Sequence, residues 1–519
     1  MAIHFTRGAA LQMARSHVAR SDVDFLLGAG LSMKPPSRLP SGMQLKDLVV
    51  TLALERLGDR ELVAELLDHS AFKAVQPEIL FADIYTIAGK FVFAAIRHEI
   101  TGALPNASHY ALSQIVKARE ATFYTTNFDD LLEAAGIDPA KVKHLHGSID
   151  EPGSIGALIS DVTRPALIKE PHSNRRLLIV AGYSGSDPDV LRFLRRSPYR
   201  AIIWLLRPGG DEAVEARVSR ADLPMSVHYC LTDMHGFIDA LASVRNDAHG
   251  ARRKPRAYRP APPGVDRAVL ITAMLLYRCE LYPKCVELID QYLASVGPKS
   301  RSAITRAEIF RAEAGRPSRL SPEASLARLQ PLGAGIPPML RLELNNIRGV
   351  LNLDMAAHDQ AKHHFERIID HPAHEDGPMF HRDRATRMKS IVANNLGLAH
   401  HELGNFREAR RYFLMSIRTK IRTGNPLGLV SGFHNLALVH TAEGRFERAK
   451  RWDDKARELA ERHGAYRRRI EHLKDMHDLL LSKGLASEAR SLLTEALQLF
   501  RDHVPHLTAL GEELQARTA

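Results

Sequence analysis

Residues 23–32 read VDFLLGAGLS, a short apolar run that ends in Gly28-Ala29-Gly30. A run of this kind predicts a buried strand turning into a helix, where bare backbone can lie against a phosphate group. The loop departs from the dinucleotide fingerprint G-x-G-x-x-G, because Met33 stands where the third glycine would be. It therefore predicts a nucleotide site of another kind. The pattern recurs downstream in ATFYTT (121–126), VKHLHG (142–147), RLLIVAGYS (176–184), AIIWLL (201–206) and VHYCL (227–231). Helical patterns such as LKDLVVTLALERL, HYALSQIVKAR and PDVLRFLRR fall between these runs. Short continuous apolar runs alternating with helices predict a doubly wound α/β domain, a parallel sheet covered on both faces. Ligands of such sheets sit beyond the carboxyl ends of the strands. GAGLS, TTNFDD, LHGS and GYSGSD each follow a strand candidate directly, so one site lined by four successive loops is expected.

The second half has a different texture. Gly404, Gly444 and Gly484 recur at intervals of 40 residues, as do Ala409, Ala449 and Ala489. A glycine turn followed by a small residue on the next helix describes a helical hairpin whose two helices approach closely. Weaker echoes around Cys285, Ala324 and Ala361 bring the expectation to about six hairpins stacked into a superhelix. The order L-G/A-x-x-H…G-x-F-x-x-A resembles tetratricopeptide repeats, with a period longer than their usual 34 residues or so. Between the halves lies ARRKPRAYRPAPPG (251–264), whose prolines and lack of apolar periodicity read as an exposed linker. The expected boundaries are an α/β domain at 1–246, a linker at 247–265 and repeats at 266–519.

Composition narrows the function classes. At 519 residues the chain predicts two or three domains. Seventy-one basic against 60 acidic residues give a net charge of +11, read here as spread over helical surfaces rather than as a nucleic-acid platform. The three cysteines, Cys230, Cys279 and Cys285, include no CxxC pair, so neither a disulfide framework nor a structural zinc site is expected, and a reducing cytoplasm is. No apolar run of membrane-spanning length occurs, and the N-terminus lacks a signal-peptide core. With no GxxxxGK[ST] and no HExxH, neither a P-loop ATPase nor a metalloprotease competes.

Candidate chemistry concentrates at the strand ends. Asn127 and Asp129, preceded by Thr125 and Thr126, are more polar side chains than capping one helix requires. His146 stands at another strand end, and imidazole is the usual general base near neutral pH. Gly182, Ser184 and Asp187 form a further strand-to-helix turn, from which Ser184 could reach a phosphate or ribose. The paired histidines His363–His364 and His400–His401 fall on repeat helices and are expected to be solvated.

GAGLS, TTNFD, LHGS and GYSGSD, in this order and spacing, resemble the sirtuin-like NAD-binding domain over about residues 20 to 245. They resemble in particular its branch in bacterial anti-phage NAD hydrolases, such as the Thoeris effector and the defence-associated sirtuins. The resemblance implies Asn127 and His146 as catalytic residues and Gly28, Ala29, Gly30 and Ser32 as the pyrophosphate loop. Gly182 and Ser184 would support the adenosine half, and Thr126 and Asp129 complete the expected NAD+-binding set. Residues 149–176 contain no cysteine, so the zinc module of protein-deacylating sirtuins is missing, and MKPPSRLPSG replaces their segment after GAGxS. Water is therefore the expected acceptor: NAD+ as substrate, nicotinamide and ADP-ribose as products, and no metal. The repeats would bind a protein trigger, the chain would assemble with its own copies, and neither nucleic acid nor membrane is the expected partner. A protein deacylase using NAD+ and a non-catalytic NAD-sensing scaffold are the alternative readings.

Overall fold

Every residue of Val23–Leu27 is buried, Asp24 included, which requires protein on both faces of the strand. A computed structural model describes residues 3–118, 121–155, 176–197, 199–207, 212–221, 223–242, 259–369, 379–422, 425–505 and 507–518. They divide into two compact units, Met1–Lys299 with His374–Arg384, and Ser300–Ala373 with Ala385–Ala519. Residues 247–258, most of the expected linker, lie outside the described residues.

The first unit is built on seven parallel strands: β1 (Ile3–Phe5), β2 (Val23–Leu27), β3 (Phe123–Thr125), β4 (Val142–His144), β5 (Leu177–Ala181), β6 (Ala201–Leu206) and β7 (Ser226–Leu231). Their order is β1-β7-β6-β5-β2-β3-β4. Six coincide with the expected runs. The seventh, β1, was not expected, because its three residues form a partly exposed edge paired only with β7 and carry no apolar signal. From β2 the chain builds outward through β3 and β4, then crosses to the other side of β2 and builds through β5, β6 and β7. The reversal of direction falls between β2 and β5, where doubly wound sheets hold their ligands.

Alternation along the strands separates two cores. Phe25, Leu27, Phe123, Ile179 and Ile203 face one side, with Ala10, Leu112 and Phe237 from the covering helices. Leu26, Tyr124, Leu178, Val180 and Trp204 face the other, with Val190, Leu194 and Val218. Asp24 is tolerated within this apolar strand because its carboxylate is bonded. It accepts from the Thr122 amide at 2.8 Å and from the Tyr199 hydroxyl at 3.0 Å. Between β2 and β3 the described residues form six helices, Gly42–Leu54, Arg60–Asp68, Ser70–Ala74, Pro77–Ala88, Phe91–Ile100 and Ala107–Ala118. Only the first and last matched expected patterns. The first unit also takes in the helix pair Val265–Arg278 and Tyr282–Ala294.

The second unit is a run of helical hairpins, among them Pro338–Asp354 with His358–Ile369, Pro426–Ala442 with Phe446–His463, and Tyr466–Ser482 with Ala486–His503. Gly404, Gly444 and Gly484 turn the chain with φ of 74°, 74° and 75°, and Ala409, Ala449 and Ala489 are buried as the close-approach residues. Cys285 and Ala361 are buried likewise, but Ala324 is exposed and Ser325 takes the inward position. Phe365 and Phe413 lie over Gly349 and Gly397, where a Cβ would come within 2.4 and 2.5 Å of the rings. His400, expected in solvent, is buried and stacked on Tyr412, because its helix face packs on the next helix of its own hairpin. The three cysteines are buried free thiols. No helix among the described residues is long and apolar enough to cross a membrane.

A Cβ at Gly444 would meet nothing within 4 Å, so the glycine is required by its left-handed backbone alone. Gly444→Ala is expected to cost about 1 kcal/mol, and Gly444→Asn less, because asparagine tolerates that region. Urea unfolding midpoints of the two variants check the order.

Candidate active site

The four polar loops follow β2, β3, β4 and β5, which are neighbours in the sheet in the order β5-β2-β3-β4. The sheet therefore gathers GAGLS, TTNFDD, LHGS and GYSGSD at one edge. Their contact is closest at the glycines. The Gly28 amide donates to the Ala181 carbonyl and the Gly30 amide to the Gly182 carbonyl, both at 3.0 Å. A Cβ on Gly28 would sit 2.5 Å from the Gly182 carbonyl oxygen, and one on Gly30 would sit 2.8 Å from the Gly182 Cα. Gly182 itself has φ +68° and would press a Cβ to 2.7 Å from the Leu31 nitrogen. The three glycines thus join the ends of β2 and β5 backbone to backbone. The Gly28 and Gly30 amides, expected to meet a pyrophosphate, are both engaged in that joint.

Ser32, at the end of the short 3₁₀ turn Ala29–Ser32, is a buried hub. Its hydroxyl donates to Asp129 Oδ2 at 3.1 Å and accepts from Asn127 Nδ2 at 3.4 Å. His109 Nε2 lies 3.4 Å away on a third side. Asp129 also accepts from the Leu131 amide at 3.2 Å, at the start of the helix Leu131–Ala134. Thr126 is held through its amide, which donates to the Leu27 carbonyl. The Asn127 amide donates to the Thr125 hydroxyl, and its side-chain oxygen Oδ1 is buried without a hydrogen-bond partner among the described residues. A buried carbonyl oxygen left in this way is costly and marks a place where a ligand hydroxyl can bind.

His146 is buried at the end of β4, followed by Gly147 at φ +88°, where a Cβ would collide with the Ser154 carbonyl. The neighbouring His144 is bonded to the Asn127 carbonyl and to Glu133, both at 2.9 Å. Burial is the largest influence and lowers its pKa, but the bond and charge of Glu133, the Asn127 carbonyl and the Asp129 charge together raise it overall. Asp187 is buried at the start of the helix Pro188–Arg196, and its amide donates to the Tyr183 hydroxyl. Burial raises its carboxyl pKa, Glu78 raises it further, and His146 opposes the shift. Ser184 is exposed, its hydroxyl 2.8 Å from that of Ser186.

With this geometry in hand, comparison with known proteins is direct. Residues 68–155 match the Sir2 family, and residues 392–423 and 431–463 match tetratricopeptide repeats. The chain carries a Sir2 domain followed by tetratricopeptide repeats. No curated protein matches it in sequence. Among solved structures, a Rap protein complexed with competence and sporulation factor aligns at 14% identity and TM-score 0.35, covering 49% of this chain and 73% of its own. A STAND protein with a tetratricopeptide repeat sensor from Pyrococcus horikoshii aligns at 10% identity and TM-score 0.32, covering 98% and 86%.

The Sir2 family uses NAD+, so this is the fold of an NAD-dependent enzyme domain. Several residues of the site lie outside the four loops that sequence reading singled out. The Asn106 amide donates to His109 Nδ1 at 3.1 Å, and its side-chain nitrogen donates to the Leu31 carbonyl at 2.7 Å. Glu78 and Gln76 come from the helical insert, and Gln76 donates to the Ser186 carbonyl at 2.7 Å. An N-x-x-H spacing just before an apolar helix was the one available signal for Asn106 and His109.

Burial raises the Asp129 pKa from 3.8 to about 6, with the Leu131 and Ser32 bonds opposing it. The folded value lies above the unfolded one, so wild-type stability falls as pH rises from about 4 to about 6, and the full cost is present above that. Asp129→Asn removes this titration. Relative to wild type, its stability is expected to improve by about 2 kcal/mol between pH 4 and pH 8. Denaturant melts of both proteins across that range measure it.

Proposed function

We propose that the Sir2 domain hydrolyses the bond between nicotinamide and ribose in NAD+, and that the repeats hold this activity in check until they bind a protein trigger. The observation that supports it most is the buried, unpartnered Oδ1 of Asn127, set among four loops at the switch point of the sheet.

Nicotinamide leaves as a neutral molecule from a cationic pyridinium, so the reaction needs no strong general acid. Positive charge grows on the ribose, as in glycoside hydrolysis. Ser32 holds the Asn127 amide nitrogen, which turns Oδ1 toward the site to orient a ribose hydroxyl or the attacking water. His146 takes a proton from that water or from a ribose hydroxyl. The carboxyls of Asp187 and Glu78 add negative potential, which favours a cationic sugar.

An enzyme that destroys NAD+ cannot remain active in its own cell, and stacked helical hairpins present extended surfaces suited to binding protein. Coupling the two supports a cytoplasmic anti-phage effector that assembles with its own copies and depletes NAD+ when the repeats meet their trigger.

Asn127→Ala and His146→Ala are each expected to lower nicotinamide release at least about a hundredfold while the proteins stay folded. Mass spectrometry of wild-type reactions should show free ADP-ribose. O-acyl-ADP-ribose with a deacylated peptide would favour the deacylase, and full turnover by folded His146→Ala would remove the proposed base. The resting full-length protein is expected to turn over slowly, so high constitutive hydrolysis would count against control by the repeats.

A further inference from the structure

The end of β4 carries two histidines, His144 and His146, and the reaction proposed for this site uses only the second. The ring of His144 lies between two groups that can only accept. Nδ1 is 2.9 Å from the backbone carbonyl of Asn127, and Nε2 is 2.9 Å from Glu133 Oε1. A carbonyl has no proton to give, and neither has a carboxylate. Both ring nitrogens must therefore carry a proton, which makes His144 an imidazolium paired with Glu133. The two side chains are only 13% and 22% exposed, so water weakens their attraction little, and the pair adds no net charge to the site.

The carbonyl so held belongs to the residue that orients the reacting groups. Asn127 is gripped at three points: its amide by the Thr125 hydroxyl, its carbonyl by His144 and its side-chain nitrogen by Ser32. A residue fixed in this way presents its remaining oxygen in one direction before substrate arrives. We infer that His144 is a positioning residue for the reaction, clamping the Asn127 carbonyl as the protonated partner of Glu133 and so aiming Oδ1 at the ribose hydroxyl or the attacking water. This inference rests on the proposed hydrolysis of NAD+, and His144 acts in it through Asn127. The clamp needs both ring protons. Burial is the largest influence on the ring and lowers its pKa. Glu133 on the helix Leu131–Ala134, the Asn127 carbonyl and Asp129 in the loop after β3 together raise it above the ordinary 6.5. The charged form is thus present below that raised value and lost above it, so turnover falls on the alkaline side as His144 loses its proton. His146, acting as a base, sets the opposite limb, because it must be unprotonated to work.

The test measures nicotinamide release from NAD+ by the full-length protein, as kcat and KM, from about pH 5 to about pH 10. His144→Phe keeps a ring but gives no N–H, and kcat is expected to fall at least about tenfold with KM within about twofold of wild type. His144→Gln keeps an N–H for the Asn127 carbonyl and does not titrate, so it should recover most of kcat and lose the alkaline limb. Glu133→Gln keeps the size of the side chain and removes its charge. It should move the alkaline limb of kcat toward lower pH, which a histidine that only fills space would not do, and it serves if His144→Phe fails to fold. Folded His144→Phe with kcat within about twofold of wild type overturns the inference alone. So does a wild type with no alkaline limb, or a limb that Glu133→Gln leaves in place. A wild type that releases no nicotinamide overturns the hydrolase reading and this inference with it.

Discussion

The close packing of Gly28 and Gly30 against Gly182 is the constraint on which the rest of the first unit depends. Two parallel strands from distant parts of the chain end side by side, and their loops must leave in opposite directions. Side chains at these positions would drive the loops apart, since a Cβ at any of the three would lie within 2.8 Å of opposing backbone. Bare backbone lets the Gly28 and Gly30 amides bond across the junction instead. That closure sets where Leu31 and Ser32 fall, and Ser32 in turn sets Asn127 and Asp129. A glycine pair that looks built for phosphate is thus first a joint between strands.

Burial then decides what the polar residues can be. Ser32 has one proton to give and is met by an acid, an amide and an imidazole. Desolvation holds His109 neutral, with a pKa of about 3, so the hub carries at most the charge of Asp129. A second charge there would have to be met by a partner in a medium of low dielectric. The arrangement keeps positive charge out of the floor of the site.

Strand content was legible because the sheet is buried on both faces, so each of six strands leaves a continuous apolar run whatever its neighbours are. The edge strand β1 and the helical insert were not. Ile3–Phe5 buries little, and the insert's helices differ in length and in which face they bury, so no single period marks them. The spacing of Gly404, Gly444 and Gly484 was visible because a left-handed turn favours glycine. The turns at Glu280, Arg319 and Ala356 use side-chain-bearing residues at φ of 59°, 60° and 55°, so those hairpins showed only as faint echoes. In the site, residues directly after strands could be named from sequence. Asn106, His109 and Glu78 act across long stretches of chain, and only the folded sheet brings them together.

The electrostatics of the two ends of the site differ, and this bears on the reaction proposed. Near Asn127 the buried groups are mostly neutral donors and acceptors, suited to hold ribose hydroxyls in fixed directions. Near His146 the carboxyls of Asp187, Glu78 and Asp189 act on one another, and Asp187 is pushed toward its protonated form by burial and by Glu78. A cationic nicotinamide riboside entering there would reverse that balance, favouring the ionised carboxylate, and the charge so released would grow in value as the sugar becomes more positive. Asp187, kept partly protonated in the resting protein, therefore stores little repulsion, yet supplies negative charge when a cation arrives.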